Sequence, residues 1–179
     1  MLLSRNISYG GVLLALILLF LTASFYSPFA DFALFSLTSV CIMIMVMNSG
    51  VKGGLLLYCA SCAAVFVFFG LSHALPFVML FGIYPLLKGM IESAIGYKKT
   101  FLIKIPFFVI AMTVSLLIFT DFLGISVLSE DIVSRIEGYG APGYILIVVA
   151  GTVVLIIYDY VLTLSVGLIG RFWKTNVRK

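Results

Sequence analysis

The 179-residue sequence predicts an all-α integral membrane protein: a six-transmembrane-helix bundle, one domain over residues 1–179, with both termini cytoplasmic. Three observations predict it. First, hydrophobic residues make up 63% of the chain and charged residues 10%, against roughly 25% charge in a soluble domain, so too few polar groups exist to cover a soluble core. The 15% aromatic content excludes a disordered chain on the same grounds. Second, the apolar residues gather into runs long enough to cross a bilayer, which takes about 20 residues each. Third, the few charges sort by side.

In order along the chain, the spans are expected at about 7–26, 29–48, 53–71, 75–94, 101–120 and 142–171. Arg5 precedes the first, whose run of about 20 residues exceeds a signal-peptide core, so a retained span is expected. Ser27-Pro28 separates it from the second span, and Asn48-Ser49-Gly50 separates the second from the third. Ser72-His73 marks the next break. The fourth span is interrupted by Pro85, Lys88 and Glu92, and Gly96-Tyr97-Lys98-Lys99 closes it. A longer polar stretch from Asp121 to Ala141 precedes the sixth span. Within it, Ser129 caps a short predicted helix over 129–137, ended by Gly138 and Gly140, which suits a lid or an interfacial spacer equally.

Six spans put Arg5, Lys52, Lys88, Lys98, Lys99, Lys104, Arg171, Lys174, Arg178 and Lys179 on one side, leaving only Arg135 on the other. The positive-inside rule assigns the crowded side to the cytoplasm. Asp31, Asp121, Glu130, Asp131 and Glu137 fall outside. The net charge of +4 therefore belongs to span ends facing lipid headgroups and not to a nucleic-acid surface.

Chemistry-bearing residues are sparse. Cys59 and Cys62 form a C-x-x-C in mid-span with no His, Asp or Glu nearby, too few ligands for tetrahedral zinc, so no metal site is expected. His73 is the single histidine, and no nucleophile, base or paired-carboxylate set assembles around it. Neither enzymatic activity nor a cofactor is expected. Asp159, near the middle of the sixth span, is the residue most in need of explanation, since a charge there costs several kcal/mol unless paired or hydrated. Thr152, Asp159 and Thr163 share a helical face, as do Tyr84, Lys88 and Glu92 on the fourth span. A Lys88–Asp159 ion pair, with Glu92 as competitor, follows as the expectation, serving either as a structural clasp or in substrate coupling.

Small residues at four-residue spacing offer close-approach faces: Gly11 and Ala15 in the first span, Ala60 and Ala64 in the third, with Gly167 and Gly170 in the sixth. They serve packing within the bundle or docking of a membrane partner.

This layout resembles the substrate-binding S component of energy-coupling factor transporters. The matching features concentrate in residues 7–71: the leading basic residue, the Gly11/Ala15 face, the Tyr26-Ser27-Pro28-Phe29 turn, and the Asn48-Ser49-Gly50-Val51-Lys52-Gly53-Gly54 turn into a small-residue-rich span. The family's first-span face reads Ala-x-x-x-Ala; here Gly11 stands at the first position. The resemblance implies a bacterial plasma-membrane protein that captures a vitamin or related small molecule, a planar heterocycle suiting the aromatic outer end. It implies partners, namely a coupling transmembrane subunit docked on the first span and two ATPases, and by position a substrate site near Tyr26, Phe29, Asp31, His73, Phe77, Asp121, Tyr139 and Tyr144. The alternative is a small membrane scaffold, resembling the six-span cell-shape protein of the elongation machinery, although residues 53–71 lack that protein's third-span acidic motif.

Overall fold

The computed structural model describes residues 2–27, 30–95, 97–117 and 141–176, with side chains for 7–27, 30–71, 74–91, 104–115, 143 and 145–170. The described residues are helical almost throughout and contain no strand. They form α1 (Leu2–Tyr26), α2 (Asp31–Pro76), a π-helical turn (Phe77–Gly82), α3 (Ile83–Ile95), α4 (Tyr97–Leu117) and α5 (Ala141–Asn176). The chain divides into two compact units. One holds the chain up to Gly96 together with Val161 onward; the other is Tyr97–Tyr160.

In the first unit, α1 buries Leu13, Ile17, Leu21 and Ser24, a stripe at helical spacing that packs on α2. Its other sides expose Ile7, Val12, Leu16 and Leu19, apolar surface of the kind a bilayer covers. The helix stops at Tyr26 where the Ser27 and Ala30 amides turn back to Ser24 and Ser27 carbonyls at 3.1 and 3.0 Å. Across this corner, Ser24 Oγ donates to Asp31 Oδ1 at 2.6 Å, tying the end of α1 to the start of α2.

Nominally one helix of 46 residues, α2 is broken twice, at Gly50 (φ 74°, ψ 179°) and Gly70 (φ 73°, ψ −178°). A residue with a Cβ is strained in this backbone region, so glycine permits both breaks. At Gly50 the chain reverses. A Cβ on Gly54 would lie 2.3 Å from Val46 Cγ2, whereas eight residues of straight helix would separate them by about 12 Å. The arms 31–49 and 51–69 therefore lie side by side, as the Asn48-Ser49-Gly50 break predicts. The second reversal corrects the expected break at Ser72-His73: it falls at Gly70, and the backbone at His73 is helical. Beyond it, Tyr58 Oη donates to the Val78 carbonyl at 2.9 Å, so the 51–69 arm and the π turn are neighbours.

Four segments among the described residues are long and apolar enough to cross a membrane: Ile7–Tyr26, Asp31–Leu71, Ala74–Ile91 and Ile145–Gly170. Asp31–Leu71 contains the Gly50 reversal, and Lys104–Ser115 is a shorter apolar stretch. This is the architecture of a multi-pass membrane protein. The predicted helix over 129–137 lies outside the described residues.

In the second unit, α4 and the 141–160 part of α5 meet at Gly151, where an added Cβ would fall 2.4 Å from the Met112 methyl. Phe108, Leu155 and Tyr158 are buried there.

Candidate functional site

The residues expected to bind substrate do not form one described cluster. Phe29, Asp121 and Tyr139 lie outside the described residues, as do the side chains of His73, Glu92 and Tyr144. Tyr26 is 79% exposed at the end of α1, while Phe77 is fully buried at the start of the π turn. Asp31 accepts the Ser24 hydroxyl, which gives it a structural tie at the α1–α2 corner. An aromatic cluster does sit nearby: Phe81 stacks on Phe35 with ring centroids 5.2 Å apart, and meets Phe32 edge-on at 5.6 Å.

Two polar sites are buried within apolar helices. In the first unit, Lys88 is 2% exposed on α3. Its position follows from the sequence, because Tyr84 and Lys88 are one helical turn apart and point to the same side. Lys88 Nζ donates to Thr163 Oγ1 and lies 6.0 Å from the Tyr84 ring centroid, near the outer limit of a cation–π contact. Thr163→Val is expected to lower stability by about 1–3 kcal/mol, since it removes an acceptor from a buried donor, while Thr163→Ser stays close to the parent. Thermal unfolding in detergent checks this.

In the second unit, Asp159 on α5 receives Lys104 of α4. Lys104 Nζ approaches Asp159 Oδ1 at 3.1 Å and Oδ2 at 2.9 Å, and the two side chains are 6% and 14% exposed. The expected partner for Asp159 was Lys88; the ion pair observed is with Lys104. Sequence reasoning missed Lys104 by counting it among the basic residues that mark the cytoplasmic face. The available signal was its setting, Phe101-Leu102-Ile103-Lys104-Ile105-Pro106-Phe107-Phe108, with apolar residues on both sides. An unpaired ammonium is costly there, so a carboxylate partner had to be sought. Thr152, on the same predicted face as Asp159, is buried and donates back to the Val148 carbonyl at 2.7 Å.

The small-residue faces differ. Gly11 and Ala15 are exposed on α1, and a Cβ added at Gly11 would meet nothing within 4 Å. Ala60 and Ala64 are half-buried on the 51–69 arm. Cys59 is exposed and Cys62 half-buried, both as free thiols. No group of three or more His, Cys, Asp or Glu side chains converges as a metal site among the described residues.

No family model, curated protein or solved structure matches the chain.

Proposed function

We propose that this protein is the membrane-embedded substrate-binding subunit of a nutrient-uptake transporter, energised by partner ATPases through a coupling transmembrane subunit. In this reading the chain crosses a bacterial plasma membrane six times with both ends in the cytoplasm. The Gly50 and Gly70 reversals supply two of the required turns, and the inside-positive charge pattern sets the orientation. A planar, weakly polar small molecule would suit the aromatic residues of the outer end, where stacking provides contact energy with few polar groups.

One observation carries the reading. α1 uses Leu13, Ile17, Leu21 and Ser24 against its own chain and leaves Gly11 and Ala15 open. Small residues on an unoccupied helix face allow a second membrane helix to approach closely. Gly11→Leu is therefore expected to leave the fold intact, because the added side chain enters open space, and to reduce recovery of the coupling subunit and ATPases about tenfold or more, the effect of losing roughly 1.4 kcal/mol or more of helix contact. Affinity purification from the native membrane, with melting temperature as the folding control, reads both. Full recovery of partners by the variant refutes the docking face. Native mass spectrometry of the purified parent tests for a retained small molecule; a scaffold would assemble with membrane proteins and carry none.

A further inference from the structure

The corner between α1 and α2 holds a carboxylate that no cation among the described residues answers. Ser24, itself buried, donates its hydroxyl to Asp31 Oδ1 at 2.6 Å. That bond is the only polar tie of the Asp31 side chain among the described residues, and no lysine, arginine or histidine among them pairs with it. One oxygen is thereby fixed and the other has no described donor. Asp31 is half-buried, and holding an anion partly out of water costs free energy until a positive partner arrives. The N-terminus of α2 offsets part of that cost, because Asp31 stands in its first turn. Aromatic rings adjoin the carboxylate on both helices. Tyr26, two residues after Ser24, is exposed and meets the Phe25 ring edge-on at 5.6 Å. Phe25, also exposed, meets Phe69 of the 51–69 arm at 5.9 Å, and exposed Phe32 follows Asp31. Oxygen ligands are scarce by comparison. The Ser24 and Ser27 carbonyls already accept the Ser27 and Ala30 amides, and no three His, Cys, Asp or Glu side chains converge among the described residues. A hard cation such as calcium takes about six to eight oxygens, so this corner cannot cage one. A ring face beside a carboxylate instead favours an alkylated or delocalised cation.

We propose that this corner captures a planar organic cation. Asp31 supplies the opposite charge, Ser24 holds that charge in place, and the exposed Tyr26 and Phe25 rings supply the faces. The assignment rests on the transporter reading above and adds one positive charge to the small molecule it captures. In the orientation of that reading, the outer side carries Asp31, Asp121, Glu130, Asp131 and Glu137 against Arg135 alone. A surface of that sign raises the local concentration of cations and repels anions.

The test is equilibrium dialysis of the full chain in nanodiscs of zwitterionic lipid, with empty nanodiscs subtracted for partitioning. The probes are N-methylquinolinium and, in mildly alkaline buffer, its neutral counterpart quinoline. The parent is expected to bind the cation about tenfold more tightly than quinoline, the pull of one carboxylate near a protein surface. Asp31→Asn is expected to abolish that preference and leave quinoline binding unchanged, while Asp31→Glu retains it. Tyr26→Ala is expected to weaken cation binding about threefold and Tyr26→Phe to match the parent. A parent without the preference, or folded Asp31→Asn that keeps it, overturns the site. Displacement of the probe by an equal concentration of calcium chloride marks an inorganic cation site and overturns it too. If Asp31→Asn does not fold, the exposed Tyr26 decides: unchanged cation binding by Tyr26→Ala overturns the site. A chain that recovers coupling subunit and ATPases yet shows no cation preference refutes this assignment and leaves the transporter reading standing. A cation preference without those partners does the reverse.

Discussion

Replacing Asp159 by alanine is expected to cost about 3–5 kcal/mol of stability, because it removes the carboxylate that faces the Lys104 ammonium at a site only 6% exposed. The geometry gives the reason. Both carboxylate oxygens face Nζ at 2.9 and 3.1 Å, so the pair holds α4 to α5 at a level where neither charge has ready access to water. Asp159→Asn keeps the shape and one acceptor but loses the charge, so its melting temperature should fall between those of the parent and the alanine variant. Lys104→Met combined with Asp159→Leu removes both charges together. That double variant is expected to recover most of the loss, since an apolar pair of similar volume avoids burying any ion. Thermal unfolding in detergent, followed across the four proteins, separates the outcomes. A melting temperature for Asp159→Ala equal to the parent's would show that the pair contributes nothing to the fold.

Gly50→Ala is the second large effect expected. Its φ of 74° and ψ of 179° lie where a Cβ is strained by about 1–3 kcal/mol, and the reversal that sets 31–49 against 51–69 depends on that conformation. Space is not the obstacle, because nothing lies within 4 Å of the added Cβ at Gly50. The loss is therefore one of backbone conformation alone. Gly70→Ala, at φ 73° and also in open space, is expected to behave alike. Gly167→Ala is the control: Gly167 is helical, has a negative φ and meets no neighbour, so no loss is expected. Equal melting temperatures for Gly50→Ala and Gly167→Ala would refute the conformational argument.

Much of the helical layout is legible in the sequence. The apolar runs mark helix after helix, and the Asn48-Ser49-Gly50 break is a true reversal, since a glycine beside polar residues is both a conformational and a compositional signal. Polarity points to Ser72-His73 for the next reversal, yet it falls at Gly70, because φ near +73° needs the absence of a Cβ more than it needs a polar side chain. The candidate site was less legible. Asp159 stood out because a lone carboxylate in an apolar run is conspicuous. Its partner did not, because periodicity locates faces within one helix and says nothing of which helix lies opposite. In the sequence, Pro85 marks only an interruption of the fourth span. Its consequence, a Phe81 carbonyl that proline cannot serve and Ser39 reaches from another arm, involves residues 42 positions apart or more.

The sequence by itself determined that this is a multi-pass membrane protein, because 63% apolar and 10% charged residues leave no other way to satisfy the surface. It also determined which residues are anomalous in that setting: Lys88, Asp159, Pro85 and Gly50. Only the tertiary structure decided how each anomaly is resolved. Asp159 takes Lys104, Lys88 donates to Thr163, and Ser39 answers the carbonyl that Pro85 releases. The physical reason is one of range. Burial and backbone conformation are imposed residue by residue and leave local traces, whereas the partner of a buried polar group is whatever donor or acceptor the folded chain brings within about 3 Å of it.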